Sequence, residues 1–248
     1  MKILDFFHQT YEPDKDNVLT ECPWCYKEKL SMATETPHQF ACWSCHHKGN
    51  AYTYLQRFYE LLSPLQKSDG YALAELKRGI KPITFKKLGI KPSPVGYIWP
   101  VFNHDGIIVA LYKLSESGVW YSSPKPCAFT LLGVQDLQDT GTIYICEGHW
   151  DYAAFLSHIA EEGINTIGLC GSSFPSQRLS LLEDRSVVFL ADNDEAGRAG
   201  VSGMATKMKQ TSNLPKSLKY LDWESMLLPS GKPEEKYDIR DLILEFQT

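Results

Sequence analysis

The chain has no long apolar run: nothing in its 248 residues approaches the roughly 20 apolar residues that a membrane-crossing helix needs. Its first ten residues, MKILDFFHQT, have neither the apolar stretch nor the cleavage site of a secretion signal. These two absences place the expected compartment in the cytoplasm and exclude a membrane partner. In that reducing environment the seven cysteines do not read as a disulfide framework, so their spacing has to be explained by metal binding or catalysis. Internal repeats and low-complexity tracts are also missing. What remains is a globular chain, 43% hydrophobic, long enough to bury real cores in one to three modest domains.

A formal net charge of -5 argues against a nucleic-acid partner only until its distribution is read. Met1 to Gln66 has six Lys or Arg against eight Asp or Glu, Lys67 to Leu132 nine against four, and Gly133 to Thr248 ten against eighteen. A basic middle therefore lies between a nearly balanced start and an acidic end. Breaks are expected at SPLQKSDG (Ser63 to Gly70) and around SSPKPCAF. This divides the chain into segments 1–62, 67–135 and 136–248.

In the first segment, CPWC (Cys22, Cys25) and CWSC (Cys42, Cys45) are two C-x2-C pairs separated by sixteen residues. Each pair can present two sulfurs to one tetrahedral ion, so the pattern fits a closed four-thiolate zinc site. With four thiolates present, His38, His46 and His47 are expected at the surface. Cys127, Cys146 and Cys170 lack such pairing and read as core thiols. LSMATETPHQFACW suggests short strands, and GNAYTYLQRFYELL a helix capped by Asn50. The segment is read as a zinc ribbon followed by a helix. Trp24 and Trp43, inside the two cysteine loops, either stack on single-stranded bases or pack over the metal.

The acidic segment alternates strand and helix. TIYIC, INTIGL, SVVFL and KSLKY read as strands, with helices after Gly148 and from Glu195, a pattern that implies a parallel sheet whose ligands sit at the carboxyl ends of its strands. Glu147, Asp192 and Asp194 all fall at that edge. By itself, D-x-D after a strand is a polar turn with Asp194 as helix cap. Joined by Glu147, it becomes a set of mutually repelling carboxylates suited to a hard cation such as Mg2+, which accepts one or two carboxylates together with waters and substrate phosphates.

Taken in order, EGHWD (Glu147 to Asp151), GSSF (Gly171 to Phe174), ADNDEAGRAG (Ala191 to Gly200) and KYDIRDLI (Lys236 to Ile243) resemble the TOPRIM domain of bacterial and phage DNA primases. LKRGIKPITFKKLGIKP and YIWPVFNHDGIIVALYKLS resemble the start of that family's RNA-polymerase core, and CPWC…CWSCHHKGN its zinc-binding domain. The likeness spans nearly the whole chain. It implies an α/β architecture (α+β overall): an N-terminal zinc ribbon, a small mixed basic subdomain and a C-terminal TOPRIM parallel-sheet domain. It also implies a DNA-directed RNA polymerase that makes short RNA primers on single-stranded DNA from ribonucleoside triphosphates.

On this resemblance, Zn2+ is held by Cys22, Cys25, Cys42 and Cys45, and Mg2+ or Mn2+ by Asp192 and Asp194, with Asp238 and Asp241 completing the acidic surface. Glu147 is either a further ligand or the general base. Arg78 and Lys113 are expected on template phosphate or the nucleotide triphosphate, beside Trp24 and Trp43 in template binding. The sequence departs from the family where Trp120 replaces an expected lysine. It contains no G-x-x-x-x-G-K-[ST] loop and ends soon after Asp241, so a separate replicative helicase is the expected partner. A metal-dependent TOPRIM nuclease and a non-catalytic single-stranded-DNA-binding loader are the alternatives.

Overall fold

A computed structural model describes residues 17–33, 39–77, 79–93, 96–114, 120–123, 131–158, 164–170, 174–211 and 214–246. The expectations placed on Met1 to Thr10, His38, Arg78, Cys127 and residues 171–173 lie outside them.

Asn17–Thr20 (β1), Leu30–Ala33 (β2), Phe40–Cys42 (β3) and Lys48–Gly49 (β4) form an antiparallel sheet in chain order. Alternate side chains of β2 and β3 are buried, the two-residue period of a sheet with one covered face. Helix α1 (Ala51–Leu61) starts at Asn50, whose side chain accepts from the Thr53 amide at 3.2 Å. It buries Ala51, Tyr54 and Leu55, one helical stripe. The Tyr54 hydroxyl donates to the Glu21 carbonyl at 3.2 Å and Arg57 Nε to that of Pro23 at 3.4 Å, which fastens α1 to the first cysteine loop.

A second antiparallel sheet holds Lys91–Ser93 (β5), Gly96–Phe102 (β6), Ile108–Leu114 (β7) and Trp120–Ser123 (β8), also in chain order. Ile98, Trp99, Val101, Ile108, Ala110 and Leu111 are all buried, and α1 packs on β7. Lys91 Nζ donates to the Tyr59 carbonyl at 2.9 Å and lies 3.9 Å from the Tyr59 ring centroid. Its ammonium thus has a partner where burial lowers its pKa.

The third sheet carries the acidic segment. Its strands are Leu131–Leu132 (β9), Ile143–Cys146 (β10), Asn165–Leu169 (β11), Ser186–Leu190 (β12) and Ser217–Tyr220 (β13), in the order β13-β12-β10-β11-β9. β10 to β13 run parallel, and β9 pairs antiparallel with β11. All four strands expected from the sequence occur where it places them. Helices α4 (His149–His158), α5 (Glu195–Lys209) and α6 (Ile239–Glu245) accompany the sheet. Ile145, Ile167, Val187, Phe189, Met204 and Met208 belong to one buried cluster. Lys67–Leu76 (α2) and Pro82–Lys87 (α3) pack on each other, and α3 meets α4 through Thr84 and Ser157 hydroxyls 2.7 Å apart.

The architecture is the expected mixture of α and β, with a cysteine-bearing antiparallel sheet and a mostly parallel C-terminal sheet. Contacts gather β1 to β8 with α1 into one compact unit, and α2, α3, β9 to β13 and α4 to α6 into another. The middle of the chain contributes a sheet to the first unit and a helix pair to the second. No described helix is long and apolar enough to cross a membrane.

Candidate metal centres

The two cysteine loops are built alike. In the first, the Cys22 amide donates to the Lys27 carbonyl at 2.9 Å and the Tyr26 amide to that of Cys22 at 2.8 Å; in the second, Cys42 donates to His47 at 2.8 Å and His46 to Cys42 at 3.0 Å. The residue after each closing cysteine, Tyr26 and His46, takes a left-handed backbone with φ of 59° and 61°. That conformation is uncommon for a residue with a side chain, and here it turns both loops back so that four sulfurs converge.

The ligand atoms of Cys22, Cys25, Cys42 and Cys45 all lie within 4.8 Å of one another. Cys22 Sγ is 3.6 Å from Cys45 Sγ, and Cys25 Sγ 3.7 Å from Cys42 Sγ. A tetrahedron with metal–sulfur bonds of about 2.3 Å has edges of about 3.8 Å. The four cysteines therefore fit a closed tetrahedral metal site. His46 and His47 are exposed, as expected of non-ligands. Trp24 is packed within the ribbon, stacked on His47 at 4.9 Å and Phe40 at 5.3 Å and edge-on to Tyr54. Trp43 is 73% exposed. Cys146 is buried and Cys170 half-buried.

At the parallel sheet, register places the acidic residues. Cys146 pairs with Leu190, so Glu147 and Asp192 follow the ends of adjacent strands. The Asp192 amide donates to Glu147 Oε2 at 3.0 Å. Asp194 caps α5, its Oδ1 accepting from the Gly197 amide at 2.8 Å. Between them, Asn193 exchanges backbone hydrogen bonds of 2.8 Å with Tyr237 and Lys236, and its Nδ2 donates to the Glu234 carbonyl at 2.7 Å. The D-x-D loop is thus bound to the segment that leads into α6. Gly197 is required by closeness: a Cβ there would overlap the Asp192 carbonyl oxygen and lie 3.0 Å from its nitrogen.

Asp238 caps α6, accepting from the Arg240 and Asp241 amides at 2.8 and 3.0 Å, while Asp241 Oδ2 accepts in return from the Asp238 amide at 3.1 Å. Arg240 also pairs with Asp238 and, at 3.0 Å, with Asp151 Oδ1 of α4. The Asp238 and Asp241 carboxylates are therefore already engaged in holding the helix start, a use that the sequence does not announce. Asp151 and Arg240 were not singled out from the sequence. They are 89 residues apart, and no local pattern links them.

Charge is concentrated here. Burial, then the negative charges of Asp151, Glu147, Asp238 and Asp194, pushes the Asp192 carboxyl up to about 7. Burial raises Asp151 to about 6 against the pull of Arg240. Glu147 is also raised, by burial first and by Asp194 among its charged neighbours. Among the described residues, the cysteine quartet is the one group of three or more His, Cys, Asp or Glu ligand atoms gathered within 4.8 Å. The acidic edge is looser. It suits a hard cation that keeps waters and binds substrate oxygens rather than a cation caged by protein alone. Lys113 lies on β7, half-buried and opposite Tyr121.

Residues 144–227 match the Toprim-like family. The chain is 28% identical over 116 residues to an uncharacterized protein of Mycoplasma pneumoniae, covering 43% of this chain and 53% of that protein. It thus spans about half the length of the curated relative it matches. Among solved structures it resembles the zinc-binding and RNA polymerase domains of Aquifex aeolicus primase, with a TM-score of 0.51 and 16% identity over 99% of this chain and 80% of that one. The primase fragment of the bacteriophage T7 primase-helicase gives 0.53 and 15% over 93% and 95%. The E. coli primase catalytic core gives 0.58 and 14% over 78% and 75%. At these identities what is shared is the fold, together with a Toprim-like domain.

Proposed function

We propose that this chain is a DNA primase, a nucleotidyltransferase that joins ribonucleotides on a single-stranded DNA template. The observation that carries the proposal is the placement of Glu147, Asp192 and Asp194 at one parallel-sheet edge of a chain that also bears a four-cysteine ribbon. The shared fold spans both.

Divalent cations held by Asp192 and Asp194 would stabilise attacking and leaving oxygens during in-line displacement at an α-phosphate. Glu147, raised above the usual carboxylate range, serves as a further ligand or as base for the 3′ hydroxyl. Asp238 and Asp241 support the acidic surface from α6. Segment 1–62 is assigned template reading, with Zn2+ in the cysteine site and the exposed Trp43 as a stacking surface. Segment 67–135, through Lys113 and Arg78, is assigned phosphate binding, and segment 136–248 the chemistry. A separate replicative helicase is the proposed partner.

The test is ribonucleotide incorporation on a panel of single-stranded templates with Mg2+ or Mn2+. Template-dependent RNA synthesis, lost in Glu147→Gln and Asp192→Asn with folding and zinc content intact, is the expected result. Cleavage of labelled single-stranded DNA with metal and without nucleotides would replace this reading with a nuclease. Metal affinity separates the two roles of Glu147: the charge-keeping Glu147→Asp weakens it if the residue is a ligand, and leaves it unchanged while slowing synthesis if the residue is the base.

A further inference from the structure

Beside the acidic edge, on the side of β13, lies a cavity of about 320 Å³ that shares Asp192 with the proposed metal site. Its volume is at the lower end of small-molecule sites. Ala191, Val201, Leu221 and Trp223 give it apolar surface. The Trp223 indole is fixed: Nε1 donates to the Ala191 carbonyl at 2.8 Å, and Tyr237 braces the ring edge-on at 5.6 Å. Arg198, Tyr220, Asp222 and Glu224, all exposed, also line it, with Tyr220 60% exposed.

The chemistry of these groups selects a ligand. Phosphate is repelled by Asp222 and Glu224, so an anionic end must lie toward Arg198 and the cation edge at Asp192. Asp222 and Glu224 accept hydrogen bonds from hydroxyl or amino donors on the uncharged part of the ligand. The lining also offers apolar surface and, at Tyr220, an exposed aromatic ring on which a flat base can stack. Asp222 follows the end of a parallel strand, where an acidic residue is well placed for ribose hydroxyls. We infer that this cavity is a nucleoside subsite, holding the base and sugar of a ribonucleotide whose phosphate lies at Asp192. The inference rests on the nucleotidyltransferase reading and adds to it the place of the nucleoside. That nucleoside belongs either to a free triphosphate or to the 3′ end of a primer, and the experiment distinguishes the two.

Ser202 lines the cavity from an exposed turn of α5, whereas a Cβ on the adjacent Gly203 meets nothing within 4 Å. Ser202→Phe should therefore fill the cavity, and Gly203→Phe adds the same bulk one position away from it. Binding of ATP and of GTP with Mg2+ would be measured by equilibrium dialysis, and binding of a short RNA primer annealed to DNA by anisotropy. Loss of at least ~10-fold affinity for free nucleotide in Ser202→Phe, with Gly203→Phe unchanged, supports the subsite for triphosphates. The same loss confined to the primer complex supports it for the primer end. Asp222→Ala, at an exposed position, should weaken the same ligand several-fold and covers the case in which Ser202→Phe fails to fold. Unchanged binding of both ligands in the folded cavity variants overturns the inference while the primase reading stands. Nucleotide binding that is lost in Ser202→Phe, in a wild-type protein that makes no RNA, overturns that reading and leaves the subsite.

Discussion

At Asp192, burial and neighbouring charge act together on one carboxyl. That carboxyl, ordinarily near 3.8, is pushed up to about 7 by burial and four neighbouring negative charges. The folded state then holds a proton that the unfolded state has released between these two values. This contribution to stability is complete below about pH 4 and lost as pH rises through about 7. Metal-free wild type should therefore lose melting temperature relative to Asp192→Asn across that window. At pH 8 the variant should melt higher by a few degrees, the shift about 1 kcal/mol produces in a chain of this length. A divalent cation at pH 8 should raise wild type more than the variant, which keeps Asp194 and Glu147; parallel melting curves across pH would refute the electrostatic account. Arg240 gives the converse case. It neutralises Asp151 and Asp238, 6% and 8% exposed, so Arg240→Ala leaves two buried carboxylates without their cation. The expected loss is about 3 kcal/mol, at the low end for broken buried pairs because the Arg240 side chain is itself 32% exposed. Urea unfolding should show Arg240→Ala combined with Asp151→Asn recovering part of that loss.

Helix α5 separates two duties that one side chain performs. Asp194 caps the helix and is also proposed to hold a cation. Asp194→Asn keeps a cap-competent oxygen and removes the charge, whereas Asp194→Ala removes both. Stability should stay close to wild type in the first and fall by about 1 kcal/mol in the second, while RNA synthesis disappears in both. Retained synthesis in Asp194→Asn would reduce this residue to its cap. The sequence supports both duties for D-x-D, a polar turn and a metal ligand, and the geometry shows the cap directly. Elements were legible where the pattern is local. The apolar runs of β10 to β12, the Asn50 cap and the C-x2-C pairs each carry their signal within a few residues. Asp151 with Arg240, the lashing of Asn193 to residues 234–237, and the packing of α1 on β7 depend on approach across dozens of residues, for which one sequence offers no pattern.

At the scale of the whole molecule, the grouping of contacts decides what loss of the ribbon's metal should do. Cys42→Ser removes one of four ligands, and structural zinc of this kind supplies folding free energy on the order of 10 kcal/mol, so β1 to β4 should lose their fold along with the metal. The acidic edge belongs to the other compact unit, and its fold should survive. Initiation requires the template to be read and should vanish. Extension of a pre-annealed ribonucleotide primer draws on the acidic edge and the basic middle, and should persist. It should nevertheless fall below wild type, because α1 joins the ribbon, through Glu21 and Pro23, to β7, the strand that carries Lys113. Both activities would be measured on one preparation with confirmed zinc loss. Equal loss of initiation and extension would make the ribbon a structural part of the polymerase, equal retention would deny it any part in reading template, and full extension without initiation would show that its contact through α1 carries no functional load.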